Sequence, residues 1–379
     1  MNRSSARILV RGVNWLGDAV MTTPALLRLR EAHPAGHITL LTHEKLADLW
    51  TNHPAVNDVL TFSASGGVWS VAQKLRAAKY HVGLVLPNSH RSALELWLAG
   101  VPRRIGYVRP WRNWLLTQPV HPRADFGVMR KRPVDEIQRL VVSSGKAAPG
   151  SVHSAPKHPA HQLHLYLHLV AALGANPEPL PPRLDVSNQQ LSDVKQRFSL
   201  SADVAWFGLN PHAEYGPAKR WPPERFLATA AESQKRTNCR WLILGGPGDV
   251  ALAAEMTNSL ANLFPSAPPL NLAGRTSLRE LCAVLKLCRV LLTNDTGPMH
   301  VAAAVGTPVV AIFGSTSPEL TGPGLSGDPP HQFLKSNAPC SPCFRRVCPI
   351  DFRCMTAISV ECAVDAVGKA YATGPSRRL

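Results

Sequence analysis

The sequence predicts an α/β protein built from two open, doubly wound parallel sheets. At 379 residues the chain is too long for one ordinary hydrophobic core, so two domains are expected. Short β-branched runs alternate with amphipathic stretches of helical period, which is the pattern of a parallel sheet. Nearly every run ends in Gly, Asn, Asp, Pro or Ser, and open α/β sheets bind their ligands at these strand ends.

Ten short runs carry the strand pattern, five in each half of the chain. In the first half they are Arg7–Arg11, His37–Thr42, Val59–Phe62, Val82–Leu86 and Arg104–Val108. In the second half they are Val204–Leu209, Arg240–Leu244, Leu270–Leu272, Val290–Thr293 and Val309–Phe313.

Two stretches rich in proline or glycine separate the halves. Gly145–Lys157 predicts a flexible surface loop, and the prolines of Ala175–Ser187 end the helix before them. We therefore expect an N-terminal domain of residues 1–187. A C-terminal domain of residues 188–379 would include a cysteine-rich tail and a final helix. Small ligands are expected to bind in the cleft between two such domains.

The composition is that of a globular protein and argues against a membrane-spanning chain. Hydrophobic residues make up 45% and charged residues 17%, and no apolar run reaches the ~18 residues of a membrane span. Arg11 interrupts the first apolar run too soon for a signal peptide, so a cytoplasmic location is expected.

The net charge of +16 favours a phosphorylated substrate or an anionic membrane face. Nucleic acid is the weaker candidate, because no nucleic-acid-binding signature accompanies the charge.

The stretch Val10–Leu26, VRGVNWLGDAVMTTPAL, places a carboxylate where a phosphate-binding turn would be expected. The first strand ends near Gly12, Gly17 is expected to turn the chain, and Asp18 begins the next helix. A carboxylate at this position is better explained as a general base that faces a hydroxyl group than as part of a phosphate-binding site. The helix dipole favours the ionised form of Asp18. Helix capping alone would also explain Asp18, although it would tolerate Asn or Ser.

The strongest signal of the second half is Leu292–Pro308, LTNDTGPMHVAAAVGTP. A strand ends, Asp295-Thr296-Gly297 follow, and an alanine-rich helix begins with a proline in its first turn. The unpaired amides of such a helix start bind anions, which suits a diphosphate. Asp295 is expected to accept hydrogen bonds from sugar hydroxyls, and His300 to donate one to phosphate. Capping explains the first residues but not the run of alanines that lets the helix pack tightly on the sheet.

Two further strand ends of the second half carry charged residues. In Asn210–Pro223, Lys219 or Arg220 would meet a departing phosphate. Asp249 follows the glycine turn after another strand, where the acid of dinucleotide-binding folds takes a ribose diol.

Two other motifs have simpler interpretations. In the first half, the strand end Leu86–Ala93 offers Asn88, Ser89 and Arg91 to a polar, anionic substrate. In the second half, Ser277-x-x-Glu280 is a helix capping box and mainly structural.

Two clusters of potential metal ligands are assigned no metal. His161, His164 and His168 would share one helical face, next to His158, and are interpreted as a partly exposed stripe. The tail cysteines resemble a small metal loop but lack the paired C-x-x-C form of a zinc site. Structural thiols are favoured there, and a metal or redox role stays open. The cysteines of this tail are Cys340, Cys343, Cys348 and Cys354.

Together these segments resemble one known family. NWLGDAVMTTPAL, GPAKRWP, TNDTGPMHVAAAVGTP and AIFGSTSP are similar, in this order, to the ADP-heptose:lipopolysaccharide heptosyltransferases. The resemblance spans nearly the whole chain, and GPAKRWP and the CSPCF tail are most similar to heptosyltransferase II. Only the histidine- and proline-rich stretch near Gly145–His164 has no match.

The resemblance implies a GT-B fold, in which two Rossmann-like domains face each other across a cleft. The N-terminal domain would bind the acceptor and the C-terminal domain the donor. The implied reaction is inverting transfer of L-glycero-D-manno-heptose from ADP-heptose to the first heptose of the lipopolysaccharide inner core. The acceptor is an anionic lipid A–Kdo–heptose glycolipid at the inner face of the cytoplasmic membrane, which suits the basic first half. The alternatives are heptosyltransferase I or III, or another GT-B nucleotide-sugar transferase or epimerase.

The resemblance also implies residue roles. Asp18 matches the general base, and Lys219 matches the lysine that stabilises the phosphates. No metal or other cofactor is implied, because Lys219 and a helix N-terminus would neutralise the leaving diphosphate. Asp249 replaces a family Glu near the ribose. The implied donor-binding residues are Asp249, Asp295, Thr296, Gly297 and His300.

Overall fold

Residues 6–144, 151–153, 160–324 and 331–374 are described by the computed structural model. The chain divides into two units, the first made of Met1–Gly127 with Pro159–Pro182 and the second of Val128–His158 with Arg183–Leu379. This division differs from the expected one, because Val128–His158 belongs to the second unit. The physical reason is pairing: a strand in this segment hydrogen-bonds to the second sheet, and Ile137 packs in the second core.

The first unit contains a six-stranded, fully parallel sheet with the strand order β3-β2-β1-β4-β5-β6. This is the order of the Rossmann fold, and it reverses between β1 and β4. All five strands predicted in this half are confirmed within one residue at each end. The strands are β1 (Arg7–Arg11), β2 (His37–His43), β3 (Asp58–Phe62), β4 (Val82–Val85), β5 (Arg103–Tyr107) and β6 (Gln118–Val120).

Five α-helices of the first unit cover this sheet, and helix numbers follow chain order. They are α1 (Leu16–Met21), α2 (Thr23–Ala32), α3 (Val68–Arg76), α4 (His90–Leu98) and α6 (Leu163–Ala171). Helix α2 packs against α6, and α3 packs against α4. Since α6 begins at Leu163, the predicted histidine face is wrong for His161, which precedes the helix. His158 lies outside the described residues.

The second unit contains a seven-stranded sheet with the order β10-β9-β8-β11-β12-β13-β7. Its first six strands repeat the Rossmann order, with the reversal between β8 and β11, and β7 pairs antiparallel to β13. The five strands predicted in this half are confirmed within two residues. The strands are β7 (Ser151–His153), β8 (Trp206–Asn210), β9 (Arg240–Ile243), β10 (Leu270–Asn271), β11 (Leu291–Asn294), β12 (Val309–Phe313) and β13 (Gln332–Lys335).

The expected surface loop Gly145–Lys157 is wrong at Ser151–His153, because these residues form β7. Backbone pairing with Phe333–Lys335 organises them at the edge of the second sheet. The other residues of this predicted loop lie outside the described part of the chain.

Nine α-helices are described in the second unit. They are α5 (Val134–Ser144), α7 (Asn188–Arg197), α8 (Pro223–Thr237), α9 (Val250–Leu263), α10 (Leu278–Leu287), α11 (Gly297–Ala304), α12 (Pro318–Thr321), α13 (Arg353–Thr356) and α14 (Val360–Thr373). The predicted capping box begins α10: Ser277 Oγ accepts a hydrogen bond from the Glu280 amide, and Glu280 accepts one from the Ser277 amide. None of the helices in the described part of the chain combines the length and apolar character needed to cross a bilayer.

Candidate active site

Except for Asp249, which follows β9, the predicted site residues lie where each sheet reverses its strand order. In the first unit, Asp18 follows β1 and Asn88 follows β4. In the second unit, Lys219 lies on the segment after β8, and Asp295 directly follows β11. Ligands of open α/β sheets bind at the carboxyl ends of the strands on either side of such a reversal. Each unit therefore presents its polar residues at its own ligand-binding edge.

Asp18 is the third residue of α1 and is half-buried. Gly17 also lies inside this helix, so the prediction that it turns the chain is wrong; the turn precedes Leu16. The Gln162 Nε2 atom donates a hydrogen bond of 2.8 Å to Asp18 Oδ1 and lies 2.9 Å from the Tyr166 hydroxyl. Burial raises the pKa of Tyr166 well above its usual range, and the Asp18 charge adds to this effect. Gln162 therefore links the carboxylate to a hydroxyl that stays protonated.

The turn before Asp18 is held by a buried ion pair that the sequence did not reveal. Arg11 Nε lies 2.8 Å from Glu95 Oε2, and the two side chains are 2% and 0% exposed. The Arg11 guanidinium also donates to Asn14 Oδ1 at 3.0 Å. Burial lowers the pKa of Arg11, and the Glu95 charge partly opposes this. Because a buried pair of this kind has fixed geometry, it defines the path of the chain between β1 and α1.

Three residues after β4 were predicted to bind the substrate, and two of them make local structural contacts. Ser89 caps α4 by accepting a hydrogen bond from the Ser92 amide. Arg91 pairs with Glu95 at 3.1 Å and donates to the Gly66 carbonyl. Asn88 is exposed at the same edge.

The second unit brings Lys219 and Asp295 together. Lys219 Nζ lies 2.6 Å from Asp295 Oδ2, with the two side chains 15% and 5% exposed. The Tyr215 ring lies beneath the ammonium group, 5.0 Å from Nζ to the ring centroid. Thr316 Oγ1 donates a further hydrogen bond of 2.6 Å to Asp295 Oδ2. Burial raises the pKa of Asp295, but Lys219 and Thr316 outweigh that effect, and the pKa lies below its usual value.

Asn294 explains why the segment after β8 reaches this carboxylate. Its Oδ1 accepts from the Trp221 amide at 3.0 Å, and its Nδ2 donates to the Pro211 carbonyl at 2.7 Å. Both ends of the Lys219 segment are thereby tied to the end of β11. The sequence did not single out Asn294 as functional. Its position immediately before Asp295 in the motif is the only sequence feature that could have indicated this role.

Helix α11 begins with amide groups that its own cap does not occupy. Thr296 is the N-cap, but its side chain makes no capping hydrogen bond. Instead its Oγ1 accepts from Asn210 Nδ2 at 3.2 Å. Pro298 lies in the first turn, and Thr296 and Gly297 are partly exposed. Partly exposed amides at a helix start, beside the Lys219 ammonium, suit an anionic group.

His300 is buried one turn into α11. Burial lowers its pKa to about 4; Asp295 opposes this shift, and Lys219 adds to it. At neutral pH the imidazole is therefore uncharged and carries a single N–H donor. It can donate a hydrogen bond to an anion but adds no positive charge.

Asp249 is partly engaged within its own turn. Its Oδ2 accepts from the Gly246 amide at 2.7 Å, and its Oδ1 lies 2.9 Å from His212 Nδ1. Burial lowers the pKa of His212, although Asp249 acts in the opposite direction.

The four tail cysteines come together in the second unit. Cys340, Cys343 and Cys354 are buried in its core, and Cys348 Sγ accepts a hydrogen bond from the Phe352 amide. Burial raises the pKa of the three buried thiols, and neighbouring cysteines raise it further. Within the described ranges, no group of three or more His, Cys, Asp or Glu side chains is arranged to hold a metal ion.

The chain is similar to characterised bacterial transferases over most of its length. Residues 150–352 match the model of glycosyltransferase family 9 (heptosyltransferase). The chain is 29% identical to lipopolysaccharide heptosyltransferase 2 of Escherichia coli (strain K12), covering 84% of this chain and 85% of that protein. It is 30% identical to lipopolysaccharide heptosyltransferase 2 of Salmonella typhimurium, with 84% and 85% covered.

A solved structure agrees with these matches. The structure of the E. coli ADP-heptose lipopolysaccharide heptosyltransferase II is 26% identical, with a TM-score of 0.73 over 97% of this chain and 98% of that one. This similarity and the two repeated strand orders confirm the expected GT-B class with two Rossmann-like units. The chain belongs to glycosyltransferase family 9, the heptosyltransferases, and is a glycosyltransferase.

Proposed function

We propose that the chain transfers L-glycero-D-manno-heptose, with inversion, from ADP-heptose to the first heptose of the lipopolysaccharide inner core. The observation that carries this proposal is the Lys219–Asp295 pair beside the partly exposed start of α11. A partly buried ammonium and backbone amides provide the positive environment that a leaving diphosphate requires. The similarity to heptosyltransferase 2 proteins supports the choice of this step.

The second unit is proposed to bind the donor. Lys219 and the amides of Thr296 and Gly297 would contact the diphosphate, and neutral His300 would donate one further hydrogen bond. Asp295 would orient the Lys219 ammonium through their 2.6 Å contact. It would also accept hydrogen bonds from hydroxyl groups of the sugar. This charge arrangement lets ADP leave without a metal ion or other cofactor in the proposed reaction.

Asp249 is proposed to lie beside the ribose of the donor. A ribose hydroxyl would share Oδ1 with His212, because Oδ2 is held by the Gly246 amide.

The first unit is proposed to bind the acceptor and to supply the base. The acceptor hydroxyl oxygen would attack the anomeric carbon of heptose while the bond from that carbon to the ADP oxygen breaks. The hydroxyl proton would pass to the Asp18 carboxylate, and the electron pair of the broken bond would leave with ADP. Gln162 would hold the carboxylate in position through its 2.8 Å hydrogen bond.

The acceptor is proposed to be the anionic lipid A–Kdo–heptose glycolipid. Asn88, Ser89 and Arg91 would contact it at the end of β4; of these, Asn88 and Ser89 are exposed and Arg91 is partly exposed. A lipid acceptor would place the enzyme in the cytoplasm, in peripheral contact with the inner face of the cytoplasmic membrane. Nucleic acid has no part in this reaction.

The proposed step is tested by supplying ADP-heptose with defined inner-core acceptors that carry or lack the first heptose. Transfer is expected only when the first heptose is present. Transfer to the heptose-free acceptor would indicate the heptosyltransferase I step instead. Conversion of ADP-heptose without any acceptor would contradict a transferase and indicate an epimerase.

The proposed base is tested with Asp18→Asn, which keeps the size of the side chain and removes its proton-accepting charge. We expect transfer to fall at least about 100-fold, as for loss of a general base. Binding of ADP-heptose, measured by calorimetry, should remain near that of the unaltered enzyme. Gln162→Ala is the companion variant and should lower kcat less, because the carboxylate remains. Near-normal turnover of Asp18→Asn would remove Asp18 from the mechanism.

A further inference from the structure

Exposed tryptophans are concentrated in one part of the first unit. The chain contains nine tryptophans. The five exposed ones all lie in the first unit, and four of them fall between Ser63 and Ala124. Their exposures are 53% for Trp69, 43% for Trp97, 86% for Trp111 and 65% for Trp114. Large apolar side chains exposed together mark an interaction surface.

Direct contacts connect these four residues into one surface. The Trp97 and Trp114 rings meet edge to face, with centroids 5.8 Å apart, and Trp114 Nε1 donates to the Trp111 carbonyl at 3.0 Å. Arg76 links Trp69 to this pair. It donates a hydrogen bond to the carbonyl of Leu98, next to Trp97, and its guanidinium lies over the Trp69 ring. We call Trp69, Trp97, Trp111 and Trp114 the tryptophan surface.

The segment that carries the tryptophan surface is mainly positive. Residues 63–124 contain nine lysines and arginines and a single carboxylate, Glu95. Of the nine cations, Arg112 is fully buried and Arg123 pairs with Asp125, just outside this range. Glu95 is fully buried and already paired with Arg11 and Arg91, so it does not offset the exposed cations. Arg109 is exposed two residues before Trp111, and none of the ion pairs in the described part of the chain includes it.

Trp111 combines high exposure with an unusual backbone conformation. Its φ of 61° lies in the left-handed region, which a bulky residue rarely adopts. Indole rings and cationic side chains are the groups enriched at the interface between membrane and water, where the ring enters the headgroup region and the cation meets anionic lipid.

We propose that the tryptophan surface, together with Arg109, docks the first unit onto an anionic lipid bilayer. The inference rests on the proposed membrane contact and assigns it to these residues. A bilayer suits the surface better than nucleic acid does, since two of its rings pack edge to face on each other instead of standing apart to stack on bases. Docking would hold the acceptor-binding unit where a lipid-linked sugar is presented.

The test uses the full chain and sedimentation with vesicles of phosphatidylglycerol and phosphatidylethanolamine. The double variant Trp111→Ser, Trp114→Ser should bind at least about tenfold more weakly. Leu263→Ser, at an apolar residue that is 59% exposed in the second unit, is the matched control and should bind normally. Arg109→Gln should weaken binding most at low salt. Vesicles of phosphatidylcholine alone should bind less of the unaltered chain.

Heptose transfer separates this inference from the proposed function. With a water-soluble acceptor that lacks lipid chains, the double variant should turn over normally, whereas its transfer to a vesicle-embedded acceptor should fall. Unchanged vesicle binding of the double variant, or no vesicle binding by the unaltered chain, would overturn the docking surface. Tight binding of single-stranded RNA that is lost in the double variant would overturn it in favour of a nucleic-acid surface. If the unaltered enzyme does not transfer heptose to the soluble acceptor, that result counts against the proposed function and not against the docking surface.

Discussion

Asp295 illustrates how one carboxylate takes its role from its neighbours. Its buried side chain receives the Lys219 ammonium and the Thr316 hydroxyl on the same oxygen, Oδ2. A carboxylate in this position would normally oppose a diphosphate, but here it fixes the position of the cation that we propose binds one.

Substituting the two partners separately tests this arrangement. Lys219→Met should weaken ADP binding and lower kcat by about 100- to 1,000-fold, the usual effect of losing a group that stabilises developing charge. Asp295→Asn should lower kcat too, because the ammonium loses its anchor. Calorimetry with ADP and steady-state kinetics measure both effects. Thr316→Val removes one hydrogen bond from the same carboxylate without changing charge and is expected to have a small effect. An equal loss in Thr316→Val would mean that packing, rather than the ion pair, is responsible.

Two fully buried arginines of the first unit should respond in opposite ways to substitution. Arg11 faces Glu95, so Arg11→Met would leave a buried carboxylate with only the partly exposed Arg91 and should cost about 3 kcal/mol of unfolding free energy. Arg112 donates to the Pro87 carbonyl at 3.0 Å, but its Nε and Nη2 have no partner, and burial lowers its pKa to about 10. Arg112→Met should therefore be neutral or stabilising by about 1 kcal/mol.

Urea unfolding of the two variants measures this contrast directly. Gly106 provides the space for the Arg112 side chain, since a Cβ there would lie 2.8 Å from Nη2. A marked destabilisation in Arg112→Met would show that this guanidinium has a stabilising partner in solution.

Residue types and their positions at strand ends could be predicted from the sequence, but their partners could not. The contact of Gln162 with Asp18 joins residues 144 positions apart, and that of Lys219 with Asp295 joins residues 76 positions apart. No local pattern encodes such pairs, because they depend on how the sheet order brings strand ends together. The buried Arg11–Glu95 pair was missed for the same reason: each residue alone has the pattern of a surface charge.

Among the secondary structure elements, α10 depends clearly on its cap. Ser277→Ala removes the hydroxyl that accepts from the Glu280 amide and should cost about 1 kcal/mol of unfolding free energy. Ser70→Ala, the same substitution at an exposed position inside α3, should be neutral or slightly stabilising because alanine favours the helix. Thermal or urea unfolding of both variants tests the difference. Equal stabilities would show that water replaces the cap.

The elements that sequence patterns missed are short and lie at sheet edges. Strand β6 contains Pro119, which indicates an edge strand or a loop. Strand β7 has three residues within a stretch rich in Gly, Pro and Ser, and only its pairing with β13 makes it a strand. The long central strands were predictable because burial on both faces requires continuous apolar runs.

At the scale of the molecule, two buried histidines should make the folded state sensitive to mild acid. Burial lowers the pKa of His300 to about 4 and that of His331 to about 3, from an ordinary value of 6.5. Because both folded pKa values lie below the unfolded value, the unfolded chain binds more protons in this window. The stabilisation is complete above pH 6.5 and is lost as the pH falls toward the folded values. Each histidine should contribute about 2 kcal/mol of lost stability between about pH 7.5 and about pH 5.

His331→Phe tests this dependence independently of its effect on absolute stability. The variant removes one titrating group, so the difference in unfolding free energy between the two pH values should shrink by about 2 kcal/mol. Urea titrations at each pH provide the values. A difference as large as that of the unaltered chain would show that His331 is already protonated in the folded protein.

The distribution of indole rings also makes the two units optically distinct. Every exposed tryptophan lies in the first unit, whereas Trp206, Trp221 and Trp241 of the second unit are buried. Exposed indoles emit at longer wavelength and are quenched by acrylamide, so the red edge of the emission spectrum reports on the first unit and the blue edge mainly on the second. The unfolding of each unit can thus be followed in the intact chain, without any added label.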